Sequence, residues 1–290
     1  MQNAIITGCS SGFGYITALE LARNGYKVWA TMRDPNGRNK VKRDDLKSIA
    51  SEENLNIVVA DLDVTEEGSF QDLQKWVSRE DGKLDLLVNN AGYGLLGISE
   101  AYSLDQVKSQ FDTNFFGAVR ASQTFLPLLR KSSDGIIINI SSLAGRIVFP
   151  YFGFYCASKF ALEAYSESLK YELKPLGVDV SIIEPGPYPT NPNIKRIAED
   201  HQEVVEKYGD SAQTPDAMIK GFEDFFTSDT APDPKELPDT ILNIIRMPRG
   251  KRPIRQVIGM DYGTNELNEK VAPIQENHVR NNMQMGHLID

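Results

Sequence analysis

Cysteine is scarce in this 290-residue chain, and the two present, Cys9 and Cys156, cannot build a disulfide framework. Both read as reduced thiols of a cytoplasmic protein, Cys156 as a partly buried and inert one. The three histidines, His201, His278 and His287, are scattered among polar residues without metal-ligand spacing, so each reads as a surface residue and no metal is expected. No apolar run approaches the ~20 residues of a membrane span. The first strand is expected within a few residues of Met1, leaving no room for a signal peptide. Basic charge is in deficit, with 31 Lys and Arg against 40 Asp and Glu and a net charge of −9. That balance lacks the basic face that nucleic-acid binding requires, and no basic run suits an anionic membrane surface.

What is present is a regular alternation of strand-like and helix-like segments over the first 185 residues. Strands are predicted at Asn3–Thr7, Lys27–Thr31, Asn56–Ala60, Leu84–Asn89, Gly135–Ile140 and Asp179–Ile183, and a seventh at Ile254–Gly259. Helices are predicted at Gly14–Asn24, Asp44–Glu52, Glu67–Glu80, Leu104–Leu129, Tyr155–Leu173 and Leu237–Ile245, with Pro127 falling late in the fourth. The near-continuous apolar run Gly135–Ile140 suits a parallel strand covered on both faces. The alternation predicts an α/β fold: one Rossmann-type, doubly wound parallel sheet of about seven strands with right-handed crossovers. Residues 1–263 read as a single domain. Residues 187–237, rich in Pro, Asp and Glu, read as a helical insertion packed over the substrate side as a lid. The polar tail 264–290 is expected to be loosely ordered.

Tyr155 and Lys159 stand four residues apart, about one helical turn, so a phenol and an ammonium share one helix face. A nearby cation favours phenolate, so the tyrosine could exchange a proton with an alcohol or ketone below the ~10 of a free phenol. None of the other ten tyrosines has a lysine at that spacing. Thr7-Gly8-Cys9-Ser10-Ser11-Gly12-Phe13-Gly14 links the first strand to the first helix. Its glycines permit a tight turn and let backbone N–H groups approach a pyrophosphate at the helix N-terminus. The spacing Gly-x-x-x-Gly-x-Gly differs from the Gly-x-Gly-x-x-Gly form, but its strand–turn–helix setting points to a dinucleotide. Ser141 and Ser142 close the fifth predicted strand, and local sequence does not choose between them.

Together, Thr7–Gly14, Asn89-Asn90-Ala91-Gly92, Ser142, Tyr155 with Lys159, and Pro185-Gly186 resemble the ordered signature of the short-chain dehydrogenase/reductase family over residues 1–190. The loop Thr7–Gly12 followed by Ala30–Asp34 is similar to the branch holding 17β-hydroxysteroid and retinol dehydrogenases. The resemblance selects Ser142, thirteen residues before the tyrosine, and implies that it polarises the substrate oxygen. It implies that Tyr155 is the general acid or base, that Lys159 lowers its pKa and bonds a nicotinamide ribose, and that Asn114 holds a water linked to Lys159. It places Asn90, Ala91 and Gly92 beside the nicotinamide-side ribose. Asp63, followed by Val64, falls beside the adenine, although it reads equally as an acid at a helix N-terminus before Thr65. Pro185, Gly186, Tyr188 and Thr190 fall in the nicotinamide-side loop, with Thr190 on the carboxamide or a phosphate.

Thr31 stands where the resemblance places the ribose-binding acid and carries no charge. Arg33 and Ser11 could meet a 2′-phosphate, which favours NADP(H) over NAD. A competing reading gives Asp34 the ribose, but Asp34-Pro35-Asn36-Gly37 reads better as a turn. The expected chemistry is hydride transfer between nicotinamide C4 and a carbinol or carbonyl carbon. Leu95, Leu96, Leu143, Phe149, Tyr151, Phe152 and Tyr188 flank the catalytic segments. By analogy with the branch, they suggest a hydrophobic secondary alcohol or ketone, such as a steroid or retinoid analogue. The rival readings are an NAD-dependent enzyme of the same family, a same-fold epimerase or dehydratase, and a dinucleotide sensor without turnover. The resemblance also implies a homo-oligomer, a dimer or tetramer, formed through the helices at Leu104–Leu129 and Tyr155–Leu173.

Overall fold

The computed structural model describes residues 1–190 and 197–289. Seven strands form one sheet: β1 (Asn3–Ile6), β2 (Lys27–Met32), β3 (Ile57–Asp61), β4 (Leu86–Asn89), β5 (Ile136–Ile140), β6 (Asp179–Pro185) and β7 (Arg255–Ile258). Their order across the sheet is β3-β2-β1-β4-β5-β6-β7, and every neighbouring pair is parallel. The helices are α1 (Gly12–Arg23), α2 (Lys40–Glu52), α3 (Glu67–Glu80), α4 (Leu104–Phe111), α5 (Gly117–Leu129), α6 (Gly153–Leu173), α7 (Gln202–Val205), α8 (Thr214–Phe226), α9 (Glu236–Arg246) and α10 (Thr264–Asn277).

The strand period of two divides the core between two layers. Ile5, Trp29, Leu87 and Ile137 point to one face and pack with Phe70 of α3, Phe125 of α5 and Leu173 of α6. Ala4, Ile6, Val28, Val88 and Ile138 point to the other and pack with Leu21 of α1, Leu46 of α2 and Ile241 of α9. Both faces are dry, which is why the strands read as continuous apolar runs. Each large apolar side chain so buried contributes roughly 1.5–3 kcal/mol.

Strand order reverses between β1 and β4. The chain runs outward from β1 through β2 to β3, then returns to β4 on the far side. The loops leaving β1 and β4 therefore diverge and open a crevice at the carboxyl edge, where open α/β sheets bind ligands.

Two segments depart from expectation. The long helix at 104–129 is interrupted by a π-helical turn, Asp112–Phe116, between α4 and α5. At that turn buried Asn114 points inward to bond the backbone of Tyr93, 21 residues away, and the helix takes up an extra residue. The polar segment after Gly263, expected to be loosely ordered, forms α10 and then a further turn that buries Val279. Asn268 of α10 donates to Glu184 at 2.6 Å and accepts from Arg146 at 2.8 Å. Most of its polar residues face solvent, and Asn268 ties it to polar groups near the sheet edge. Among the described residues, no helix is long and apolar enough to cross a membrane.

Candidate active site

At the carboxyl edge of the sheet lies a cavity of about 1250 Å³, running from the glycine loop to helix α8. Gly8 and Gly12 hold φ of +77° and +58°, the left-handed region that glycine occupies without strain. Gly14 is demanded by contact: a Cβ there would lie 2.3 Å from Gly8 O and 2.5 Å from Asn90 Nδ2. Ser10, Ser11, Gly12 and Phe13 line the cavity at the start of α1, with Gly8 behind them. Thr7 and Gly14 do not reach the wall and support the loop from below. Thr7 Oγ1 accepts from the backbone of Asn90 and Ala91 at 2.9 and 3.0 Å, and Asn90 Nδ2 donates to Thr7 O at 2.8 Å. The loops after β1 and β4 are thus latched together, and Asn90, Ala91 and Gly92 face the cavity.

At the end of β2, Thr31 is fully buried and its hydroxyl donates to Ile6 O, so the strand-end position facing the cavity is Met32. Arg33 follows it and lines the cavity together with Arg38. The Asp34 carboxylate is turned away into its own turn, accepting from the backbone of Gly37 and Arg38 at 2.9 and 2.8 Å. Asp63 likewise stays outside the wall. Its Oδ1 accepts from Thr65 N and Oγ1, and its Oδ2 lies 3.9 Å from Arg33, so the contacts are those of an acid ordering the turn before α3. Its neighbours Leu62, Val64 and Thr65 line the cavity instead.

Ser142, Tyr155 and Lys159 converge on the cavity from β5 and α6. Ser141 and Ser142 diverge. Ser141 is buried, and its hydroxyl faces Glu163, whose charged form it favours. Ser142 Oγ accepts from Ala144 N at 3.1 Å and stands within reach of the Tyr155 phenol. Lys159 Nζ lies 5.8 Å from the centre of the Tyr155 ring and donates to Ile140 O at 2.8 Å. Burial pushes the ammonium down to about 8, partly opposed by Glu163. The Tyr155 phenol is pushed up by burial, against the Ser142 hydrogen bond that lowers it. In each case desolvation disfavours the charged form.

Asn114 sits behind this trio rather than in the wall. Its Oδ1 accepts from Tyr93 N at 3.0 Å, and its Nδ2 donates to Tyr93 O and Ser158 Oγ at 2.8 and 3.1 Å. Its direct partners are protein groups, and it locks the loop after β4 to α6.

Pro185, Gly186, Tyr188 and Thr190 line the remaining side. Tyr188 fits despite its bulk because it lies over Gly259, where a Cβ would stand 2.7 Å from its hydroxyl. The phenol donates to Glu236 at 2.5 Å, and burial followed by that carboxylate pushes its pKa far up. Thr190 lies over Gly12, on the phosphate-loop side of the cavity. Of the apolar residues expected near the site, Leu96, Leu143, Phe149, Phe152 and Tyr188 line it, whereas Leu95 belongs to the core and Tyr151 does not reach the wall. Phe222 of α8 packs on Phe152, which packs on Tyr155, with ring centroids 6.3 and 5.8 Å apart.

Sequence reasoning missed Arg38, Tyr93, Ile197, Ile219, Phe222, Phe226 and Tyr262 in the wall. Arg38 had a signal in its position just past the Asp34 turn. The aromatics of α8 had only the helical spacing of Phe222 and Phe226, which says nothing of what they pack on.

Comparison with known proteins shows the family of the chain. The family model described as short chain dehydrogenase matches residues 2–201. Human retinol dehydrogenase 8 is 35% identical over 269 residues, covering 90% of this chain and 82% of its own. A 3-ketodihydrosphingosine reductase of Bacteroides thetaiotaomicron is 38% identical over 71% of this chain and 73% of its own. A short-chain dehydrogenase structure from Streptomyces avermitilis is similar over 95% of both chains, with a TM-score of 0.74 and 28% identity. The NADP-bound structure of ElxO is similar with a TM-score of 0.69 and 25% identity, over 91% of this chain and 99% of that one. With the glycine cradle, the strand-end serine and the Tyr–Lys helix face sharing one cavity, the chain belongs to the short-chain dehydrogenase family of nicotinamide-dinucleotide oxidoreductases.

Proposed function

We propose that this protein is an NADP(H)-dependent oxidoreductase that interconverts a hydrophobic secondary alcohol and its ketone, with Tyr155 as general acid and base. The observation that carries the reading is the shared cavity: Ser142, Tyr155 and Lys159 lie between the glycine cradle and an apolar wall of Leu96, Phe149, Phe152, Phe222 and Phe226. The cradle suits a dinucleotide. A Cβ at Gly14 would occupy the loop's own interior, and the positive φ of Gly8 and Gly12 opens the turn at the N-terminus of α1. Bound there, the dinucleotide would supply or accept the hydride.

The chain's own residues perform the rest. Ser142 hydrogen-bonds the carbonyl oxygen and holds it beside the phenol. Tyr155, raised by burial and protonated at neutral pH, donates its proton to that oxygen in reduction and recovers one from the alcohol in oxidation. Lys159, fixed against Ile140 O, places positive charge beneath the developing phenolate. Phe152 and Phe222 shield the exchange from water. Arg33 and Arg38 line the adenosine end and Asp34 is spent on its turn, which supports selection of a 2′-phosphate. Phe116 and Phe160, 48% and 40% exposed after α4 and on α6, support self-association through those helices.

The test is turnover of a ketone panel with NADPH by wild type and Tyr155→Phe. The variant should lose about 10²–10⁴-fold in kcat while still binding NADPH. Near wild-type turnover by Tyr155→Phe would remove the acid–base assignment, and binding without turnover of any carbonyl by wild type would favour the sensor.

A further inference from the structure

Behind the catalytic helix lies a buried ionic cluster that the mechanism does not use. Glu163, on α6 and one turn past Lys159, is 2% exposed, and Lys159 is 5% exposed. Residues at that spacing are neighbours on a helix face. Glu163 Oε2 accepts from Arg255 Nε of β7 at 2.9 Å. Arg255 also donates to Glu167 at 2.7 Å and lies 3.5 Å from Glu184 at the end of β6. Glu184 is fully buried and is bonded by Asn268 of α10, which Arg146 holds in turn. Gly145 lies so close that a Cβ would meet Ser141 Oγ at 2.6 Å and Glu163 Cγ at 2.9 Å, so the carboxylate is walled in.

Burying such a cluster is costly, and apolar residues would commonly serve stability as well. Its position suggests why it is kept. A buried ammonium loses its hydration and favours release of its proton unless a negative charge lies close by. Around Lys159 stand the Tyr155 ring, the carbonyl of Ile140, Gly92 with Asn114, and, one helical turn on, Glu163, behind which lie Arg255 of β7 and Glu184 of β6. Among these, Glu163 supplies the negative charge.

We propose that Glu163 is a positioning residue for Lys159: a buried carboxylate one helical turn behind the ammonium, clamped by Arg255, that keeps the lysine charged. The proposal rests on the reading of Lys159 given above but concerns its protonation, which exists without turnover. Arg255 holds Glu163 from β7, a separate element, and so fixes the carboxylate beside α6. Burial pushes both carboxyls up, Glu184 to about 8, and at Glu163 the rise is opposed first by Arg255, which donates to it at 2.9 Å.

The experiment is an NMR titration of the full chain, free of dinucleotide, with nitrogen-labelled lysine side chains. The Lys159 signal is assigned by its absence from Lys159→Met. Wild type should show an inflection at about 8. Glu163→Gln should lower it by about one pH unit, the scale of a close opposite charge, whereas Glu163→Asp should retain most of the wild-type value. Glu163→Met, a second neutral variant of similar volume, carries the same expectation as Glu163→Gln should that variant not fold. In turnover, the alkaline limb of the ketone-reduction profile should move down with the inflection. An unmoved Lys159 signal in either folded neutral variant, or an equal shift in Glu163→Asp, would overturn the proposal. Because the titration needs no substrate, it stands or falls apart from the proposed reaction.

Discussion

Holding Lys159 in the interior should cost stability, and Lys159→Met exposes that cost. Burial brings the ammonium from 10.5 to about 8. Below that pH the folded protein carries a charge that is easier to carry unfolded. A difference of about 2.5 units corresponds to roughly 3 kcal/mol. The sign follows from proton counting. Between about 8 and 10.5 the unfolded chain binds the proton more tightly than the folded one, so wild-type stability rises with pH across that window. The penalty is fully present below about 8 and relieved above 10.5. Lys159→Met has no such term. It loses the bond to Ile140 O, worth about 1–3 kcal/mol, but that loss does not depend on pH. Urea unfolding of both proteins from pH 7 to 10.5 should therefore show wild type gaining on the variant by up to roughly 3 kcal/mol. Subtracting one curve from the other cancels groups that titrate alike in both. A flat difference, or one of opposite slope, would refute the depressed lysine pKa.

Other parts of the cavity give separate tests. Gly14→Ala must push its Cβ against Gly8 O, an overpacking of about 1–3 kcal/mol, so NADPH affinity measured by fluorescence titration should fall about tenfold or more. Arg33→Ala should lower kcat/KM for NADPH about 10–100-fold, the scale of a lost charge-assisted hydrogen bond, and leave that for NADH nearly unchanged. A wild type that prefers NADH would overturn the assignment of Arg33. Phe222→Ala removes the ring that packs on Phe152, so KM for a bulky apolar ketone should rise roughly 3–10-fold with kcat little changed, while a small ketone should be insensitive. Equal effects on both ketones would mean that α8 does not cover the substrate.

How far the sequence could be read varies from one part of the site to another. The glycine loop was legible because its requirement is local: a strand, a tight turn and a helix within a dozen residues. Tyr155 and Lys159 were legible because helical spacing alone puts them on one face. The branch-like position of Arg33 was legible too, although the strand end proved to be Met32, since Thr31 is consumed by a bond to Ile6 O. Asn114 marked itself as a poor helix former, but its bonds to Tyr93 and Ser158 come from segments 21 and 44 residues away. No local pattern reports such partners.

The polar tail shows the same limit more sharply. Polarity read as solvation, yet Asn268 is polar because Glu184 and Arg146 await it at the sheet edge. Nor could the sequence give the direction of the Tyr155 shift, because the burial that raises it is set by tertiary packing. By itself, then, the sequence determined the alternation of strand and helix, the glycine loop and the spacing of Tyr155 and Lys159, all set by short-range backbone geometry. The tertiary structure alone decided which polar groups are dry, which charges face them and what roofs the cavity. Those depend on segments distant in the chain meeting at one edge of the sheet, where water is excluded and each unpaired charge must find a partner.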